Sequence, residues 1–295
     1  MFKKEIYSLL LFSFGLLFTC CGESATDDEE KDNNGQGSVS VETNYLPIAD
    51  PYVMFYNNKY YAYGTWGVWA PEVYYVESKK KFYLFYSAEE HICVATSTTP
   101  EGPFRQEVKQ PIWSEKSIDT SLFIDDDGTP YLYFVRFTDG NVIWVAQMTD
   151  DLMSIKTETL NQCIKAEVSW ELLQGKVAEG PSLLKKNGVY YLIYSANHYE
   201  NKGYGVGYAT SDTPMGPWVK YSKNPLLQGD AATGLVGTGH GAPFQCKDGS
   251  WKYIFHAHWS AAEIQPRTSY IKDFAISDQG VVTISGTVIK PRVLK

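Results

Sequence analysis

One phrase returns five times along this sequence: a step at a small residue or a proline, a short strand, a tight turn, then a strand rich in aromatics. The steps are Asp50-Pro51, Ala70-Pro71, Asp119-Thr120, Glu179-Gly180-Pro181 and Gly241-Ala242-Pro243. The answering strands are Tyr60-Tyr61-Ala62-Tyr63, Phe82-Tyr83-Leu84-Phe85-Tyr86, Tyr131-Leu132-Tyr133-Phe134, Tyr190-Tyr191-Leu192-Ile193-Tyr194 and Lys252-Tyr253-Ile254-Phe255-His256. Between them lie turn pairs such as Asp127-Gly128, Asn187-Gly188 and Asp248-Gly249, which accept the positive φ angles of tight hairpins. A hairpin unit of this size cannot bury its apolar face alone, so repeats of it must pack around a common axis. The pattern predicts an all-β fold, a five-bladed β-propeller.

Composition agrees with strands. Aromatics make up 15% of the 295 residues, and they recur without a long apolar stripe at helical spacing. The formal charge of −8 argues against nucleic acid or an anionic membrane surface as partner, because either needs a basic patch.

In a propeller the first strand of each blade runs along the central channel, so equivalent residues of successive first strands meet at one mouth. Asp50, Asp119 and Glu179, each at a step of the repeat, are thereby predicted to converge. Any one of them alone reads as a turn or capping acid; recurrence in register makes them a candidate site. Two carboxyl groups, one protonated and one ionised, are what hydrolysis of a glycosidic bond requires. A third nearby carboxylate raises the pKa of the acid by like-charge repulsion.

The phrases Ile48-Ala49-Asp50-Pro51-Tyr52, Trp69-Ala70-Pro71-Glu72-Val73, Ser117-Ile118-Asp119-Thr120-Ser121, Val177-Ala178-Glu179-Gly180-Pro181 and Gly237-Thr238-Gly239-His240-Gly241 together resemble glycoside hydrolase family 43. The resemblance runs from about Leu46 to Lys290. It implies a five-bladed propeller and inverting removal of α-L-arabinofuranosyl or β-D-xylosyl units from plant-type oligo- or polysaccharides. Carried over, Asp50 is the general base, Asp119 the pKa modulator and Glu179 the general acid. His240 matches a channel histidine that faces, through water, a single calcium or other ion in some members, or is a satisfied histidine with no ion; no cofactor is otherwise required. Arg267 falls where the family places a sugar-pocket arginine, against the alternative of a solvated loop charge. Trp69 is a candidate sugar-stacking ring or a core residue. The step from Pro51 to Pro71 is too short for a four-stranded blade, so the first blade is expected to be incomplete. That shortening keeps open a second reading, a catalytically impaired glycan-binding protein of the same fold. Retention of all three acids favours the enzyme.

The N-terminus reads as a targeting segment over residues 1–21. Lys3-Lys4 precede an apolar run from Leu9 to Phe18 and the pair Cys20-Cys21, resembling a bacterial lipoprotein signal with Cys20 or Cys21 as the lipidated residue. Residues 22–44 read as a flexible acidic tether, and an acidic run so placed resembles the surface-export signal of Bacteroidetes lipoproteins. The expectation is a lipid anchor in the outer membrane, facing the cell surface or the periplasm, with residues 45–295 forming the propeller. Cys93, Cys163 and Cys246 have no metal-ligand or redox spacing and read as packing thiols.

Overall fold

The five aromatic-rich strands are middle strands, which is why Tyr, Phe and Ile crowd them: they are buried on both faces, and β-branched and aromatic side chains fill such a pleated surface best. In the computed structural model, which describes residues 15–16, 43–65 and 67–294, the chain begins with β1 (Gly15–Leu16) and β2 (Thr43–Tyr45). A hairpin of β3 (Ala49–Tyr56) and β4 (Lys59–Thr65) follows, then a three-stranded meander of β5 (Trp69–Val76), β6 (Lys81–Ala88) and β7 (His91–Ser97). Three four-stranded meanders complete the ring: β8 (Ser117–Ile124), β9 (Pro130–Phe137), β10 (Asn141–Gln147) and β11 (Asn161–Ile164); β12 (Ala178–Lys186), β13 (Val189–Ala196), β14 (Gly205–Ser211) and β15 (Val219–Lys220); β16 (Gly239–Gln245), β17 (Trp251–Ala257), β18 (Thr268–Ile276) and β19 (Val282–Ile289). The last strand, β20 (Arg292–Leu294), pairs antiparallel with β2.

This is an all-β propeller, and its apolar clusters lie between consecutive sheets. Phe85 packs with Phe134, Tyr133 with Tyr194, and Ile193 with Phe255. Val53 and Tyr60 pack with Ile254 and Ile271, joining the last sheet to the first, while Tyr61 and Met54 meet Val73 and Leu84 of the next.

Two short pairings lie at the N-terminal edge. The sheet built on β3 and β4 has a third strand in β1, with Gly15 opposite Tyr61 and Leu16 opposite Tyr60, within the stretch 1–21 that reads as a targeting segment. Residues 43–44, assigned to the tether, belong to β2, because pairing with β20 ties the two ends of the domain together. The remaining residues of the signal and tether, including Cys20 and Cys21, lie outside the described residues.

The inner strands share one local device. In β3, β5, β8, β12 and β16 two residues oppose one on the partner strand: Asp50-Pro51, Ala70-Pro71, Asp119-Thr120, Gly180-Pro181 and His240-Gly241. The first residue of each bulge has positive φ: 50° at Asp50, 42° at Ala70, 56° at Asp119, 55° at Gly180 and 41° at His240. Such bulges re-aim a side chain and detach a backbone amide from the ladder; proline in second place loses nothing, since no partner waits for its N–H. The freed amides are caught by the preceding sheet. Ala70 N–H donates to Thr65 Oγ1 at 3.1 Å, Asp119 N–H to Ser87 Oγ at 3.0 Å and His240 N–H to Ser195 Oγ at 2.7 Å. Asp50 N–H donates to His256 Nδ1 at 3.1 Å, which closes the ring. Thr65, Ser87, Ser195 and His256 all stand opposite the residue just before their own sheet's bulge. The equivalent position of the third sheet is Val135, which has no acceptor, and there Asp119 Oδ2 takes the Gly180 N–H at 3.2 Å.

The register also corrects the repeat. Asp50 and Asp119 open their bulges, but Glu179 stands one residue ahead of the bulge, opposite Ser195, and the fifth step is His240-Gly241 rather than Gly241-Ala242.

Ser195 is fully buried, so Ser195→Ala should strand the His240 amide and lower unfolding free energy by about 1–3 kcal/mol. Urea denaturation with an unchanged m-value is the measurement.

Candidate active site

Asp50, Asp119 and Glu179 come together, each less than a tenth exposed. They line one cavity of ≈ 440 Å³ with His240, Arg267 and Trp69. The sequence expectation of convergence is thus met in space, although the three acids leave the backbone at two different registers.

Each acid meets a different environment. Asp50 is ringed by donors: Arg267 Nη1 reaches Oδ1 at 2.9 Å and Thr65 Oγ1 donates to Oδ2 at 2.5 Å. His240 Nδ1 lies 3.5 Å from Oδ1; His256 Nδ1, 3.4 Å from it, is not a donor there, since it accepts the Asp50 N–H. Burial alone would raise this carboxyl, but His240, Arg267, His256 and the Thr65 hydroxyl outweigh it and hold Asp50 well below the usual carboxylate range. It is ionised at any ordinary pH.

Asp119 has fewer allies. Burial and the neighbouring Asp50 charge push it up to about 7, opposed by the Gly180 amide and by Arg267. Glu179 is likewise pushed up to about 7, by burial first and the Asp119 charge second. The donors to Glu179, Tyr204 Oη on Oε1 and Asn141 Nδ2 on Oε2, both at 2.8 Å, restrain that rise without cancelling it. One carboxyl is therefore ionised and another holds its proton towards neutral pH, an arrangement that separates base from acid.

Glycines let the groups close in. A Cβ on Gly239 would sit 2.3 Å from the Tyr204 ring, and one on Gly180 would meet the His240 ring at 3.0 Å, so both close approaches depend on the missing side chain. His240 Nδ1 faces Asp50 and, at 3.8 Å, Asp119, and among the described residues no group of three or more His, Cys, Asp or Glu could hold a metal ion. Arg267 is not a solvated loop charge: its guanidinium lies 4.7 Å over the Tyr199 ring while it pairs with Asp50. Trp69 is 46% exposed, so it is a wall of the cavity and not core.

Comparison with known proteins decides the lineage. The sequence profile of glycosyl hydrolases family 43 matches residues 53–282. The chain belongs to this family. Among solved structures it resembles an endo-1,4-β-xylanase from Bacteroides thetaiotaomicron, at 88% identity and a TM-score of 0.84, covering 87% of this chain and 100% of that one. A thermostable family-43 glycoside hydrolase aligns at 30% identity and a TM-score of 0.76, covering 84% and 98%. Among curated relatives, a β-D-galactofuranosidase of Aspergillus niger is 31% identical over 192 residues, 62% of this chain and 52% of its own length. A β-xylosidase of Xylanibacter ruminicola is 32% identical over 213 residues, 61% of this chain and 62% of its own. The chain thus spans half to three fifths of these relatives.

Within the family-43 site, sequence reasoning had left Thr65, Asn141, Tyr204 and His256 without a role. Asn141 opens β10 and Tyr204 precedes β14, outside every acid-bearing phrase, so no local signal marks them. His256 did carry one, a lone imidazole ending a run of aromatics that elsewhere ends in Tyr or Phe. Glu72, deeper in the channel, is pushed up to about 8 by burial against hydrogen bonds from Tyr74 and Ser121.

The shifted acids carry a stability signature. Asp119 and Glu179 hold protons up to about 7 when folded, but only to the ordinary 3.8 and 4.5 when unfolded. Folding takes up protons in that window, so their contribution is full below the unfolded values and is lost as pH rises towards 7. Asp50 acts in the opposite sense, below 3.8 only. Glu179→Gln should therefore flatten the fall in stability between pH 4.5 and 7, read from urea denaturation at a series of pH values.

Proposed function

We propose that this protein is an inverting glycosidase acting on xylose- or arabinofuranose-containing glycans, with Asp50 as general base, Glu179 as general acid and Asp119 as the group that tunes the acid. The observation that carries the reading is the split in charge state across one cavity: Asp50 pinned as a carboxylate by Arg267 and Thr65, Glu179 raised to about 7 beside Asp119. In this reading Asp50 takes a proton from a water attacking the anomeric carbon while Glu179 protonates the leaving oxygen. Trp69 offers a face for a sugar ring and Arg267 orders the base side of the cavity. The choice of sugar is supported by relatives named β-xylosidase, arabinoxylan arabinofuranohydrolase and endo-1,4-β-xylanase.

Further parts of the reading rest on the sequence. The five inner strands support five blades, and the span from β3 to β4 supports a first blade lacking its outer half. The Lys3-Lys4, Leu9–Phe18 and Cys20-Cys21 pattern supports export and a lipid anchor at the outer membrane. A single calcium near His240 would act on the channel electrostatics; the steps above use only the chain's own groups.

The shortened first sheet favours one rival, a glycan-binding protein without turnover. Hydrolysis of aryl β-D-xyloside, α-L-arabinofuranoside and galactoside separates the two, since a binder releases no phenol from any of them. In the active protein, Glu179→Gln should cost about 10²–10⁴-fold on substrates with poor leaving groups and far less on activated aryl glycosides, because only the former need protonation. Asp50→Asn should abolish both. Equal losses for Glu179→Gln on both substrate types would remove Glu179 from the acid role.

A further inference from the structure

Thr65 ends β4, and only residues 66–68 separate it from β5. Its hydroxyl has two engagements. Oγ1 accepts the Ala70 N–H at 3.1 Å, and Oγ1 lies 2.5 Å from Asp50 Oδ2 as donor. A hydroxyl carries one proton and two lone pairs. With the Ala70 amide fixed on a lone pair, the proton is left to point at Asp50, and rotation about the C–O bond would break one bond or the other. Ser87 and Ser195 stand at the same position of their sheets and catch an amide in the same way, yet among the described residues neither donates to a carboxylate. Thr65 alone of these hydroxyls joins the bulge amide of one inner strand to the carboxylate of another.

Asp50 has reason to need this. It sits at φ 50°, a region that costs a non-glycine residue about 1–2 kcal/mol, so its backbone is held by neighbours and not by its own preference. Arg267 fixes Oδ1 from a loop 217 positions away. His240 Nδ1 also faces Oδ1, at 3.5 Å, so without Thr65 the carboxylate would be held at one oxygen and free to swing about it, and the direction of its free lone pair would be lost.

We propose that Thr65 is a positioning residue for the base, orienting the Asp50 carboxylate through a hydroxyl whose own direction is set by the Ala70 amide. The inference rests on the reading of Asp50 as base. It concerns the hydroxyl and not the methyl group, and this makes it separable from a packing role. Thr65→Val keeps the shape and removes the hydroxyl, whereas Thr65→Ser keeps the hydroxyl and removes the methyl.

The test uses the full chain with aryl β-D-xyloside and aryl α-L-arabinofuranoside. Thr65→Val should lower kcat by about tenfold to a hundredfold with KM little changed, the scale of a base displaced by about 1 Å. Thr65→Ser should restore kcat to within a few fold. The loss should be the same on activated and unactivated substrates, because both need the water activated. NMR titration of the Asp50 carboxyl, which needs no turnover, should move upward in Thr65→Val and not in Thr65→Ser. Wild-type kcat in Thr65→Val, a Ser variant as impaired as the Val variant, or a loss confined to KM would each overturn the proposal. If Thr65→Val does not fold, Thr65→Ala, which leaves room for a water at the Ala70 amide, carries the same comparison. Asp50→Asn distinguishes failure of the underlying reading: activity in that variant removes Asp50 as base whatever Thr65 does.

Discussion

The structure depends on what happens to one backbone amide in each inner strand. A bulge with positive φ turns that N–H out of its own sheet, and a buried amide without a partner would cost on the order of 1–3 kcal/mol. The neighbouring sheet supplies the acceptor, so the defect of each strand becomes its bond to the next, and His256 receives the Asp50 amide to complete the circuit. Apolar packing between sheets brings them together without fixing how far one slides along the other. The captures do fix it, since an acceptor displaced by one residue points to the opposite face. The same bulges aim Asp50, Asp119 and His240 into the channel, so closing the ring and building the site are a single act.

The third sheet shows how architecture and chemistry share groups. Val135 occupies the position where the other sheets place a hydroxyl or an imidazole, and the acceptor for the Gly180 amide is Asp119 itself. A carboxylate that would otherwise be free to turn is tied to the strand carrying Glu179. That bond holds its charge close to the acid it raises, and the amide in turn lowers the pull of Asp119 for a proton.

The repeat was legible because its signals are local: the small-residue or proline step marks a bulge, the paired turn residues mark a hairpin, and doubly buried middle strands show as aromatic runs. The three acids were legible for the same reason. Their exact register was not, since Glu179-Gly180-Pro181 differs from Asp50-Pro51 by an inserted glycine, and only strand pairing tells which residue opens the bulge. The donors were illegible in principle. Tyr204 and Asn141 reach their carboxylates through tertiary closure, with no spacing in the sequence to announce it, and Arg267 was marked by resemblance as a pocket residue without its bond to Asp50 being readable. The pairing of Gly15–Leu16 with β4 was not legible either, since that stretch carries none of the turn and aromatic signals that mark the repeat.

The distance along the chain between Asp50 and its partners has a consequence for synthesis. His256 and Arg267 lie 206 and 217 positions downstream. A nascent chain displays Asp50 early, on a strained strand whose amide has no acceptor and whose carboxylate has no guanidinium. Thr65 is close by, but His240, His256 and Arg267 are made only with the last sheet, which packs back against the first through Val53, Tyr60, Ile254 and Ile271. The strand that carries Asp50 is made early and is among the last to be completed, and translation that stops short of Arg267 yields a protein with its acids present and their electrostatics unset.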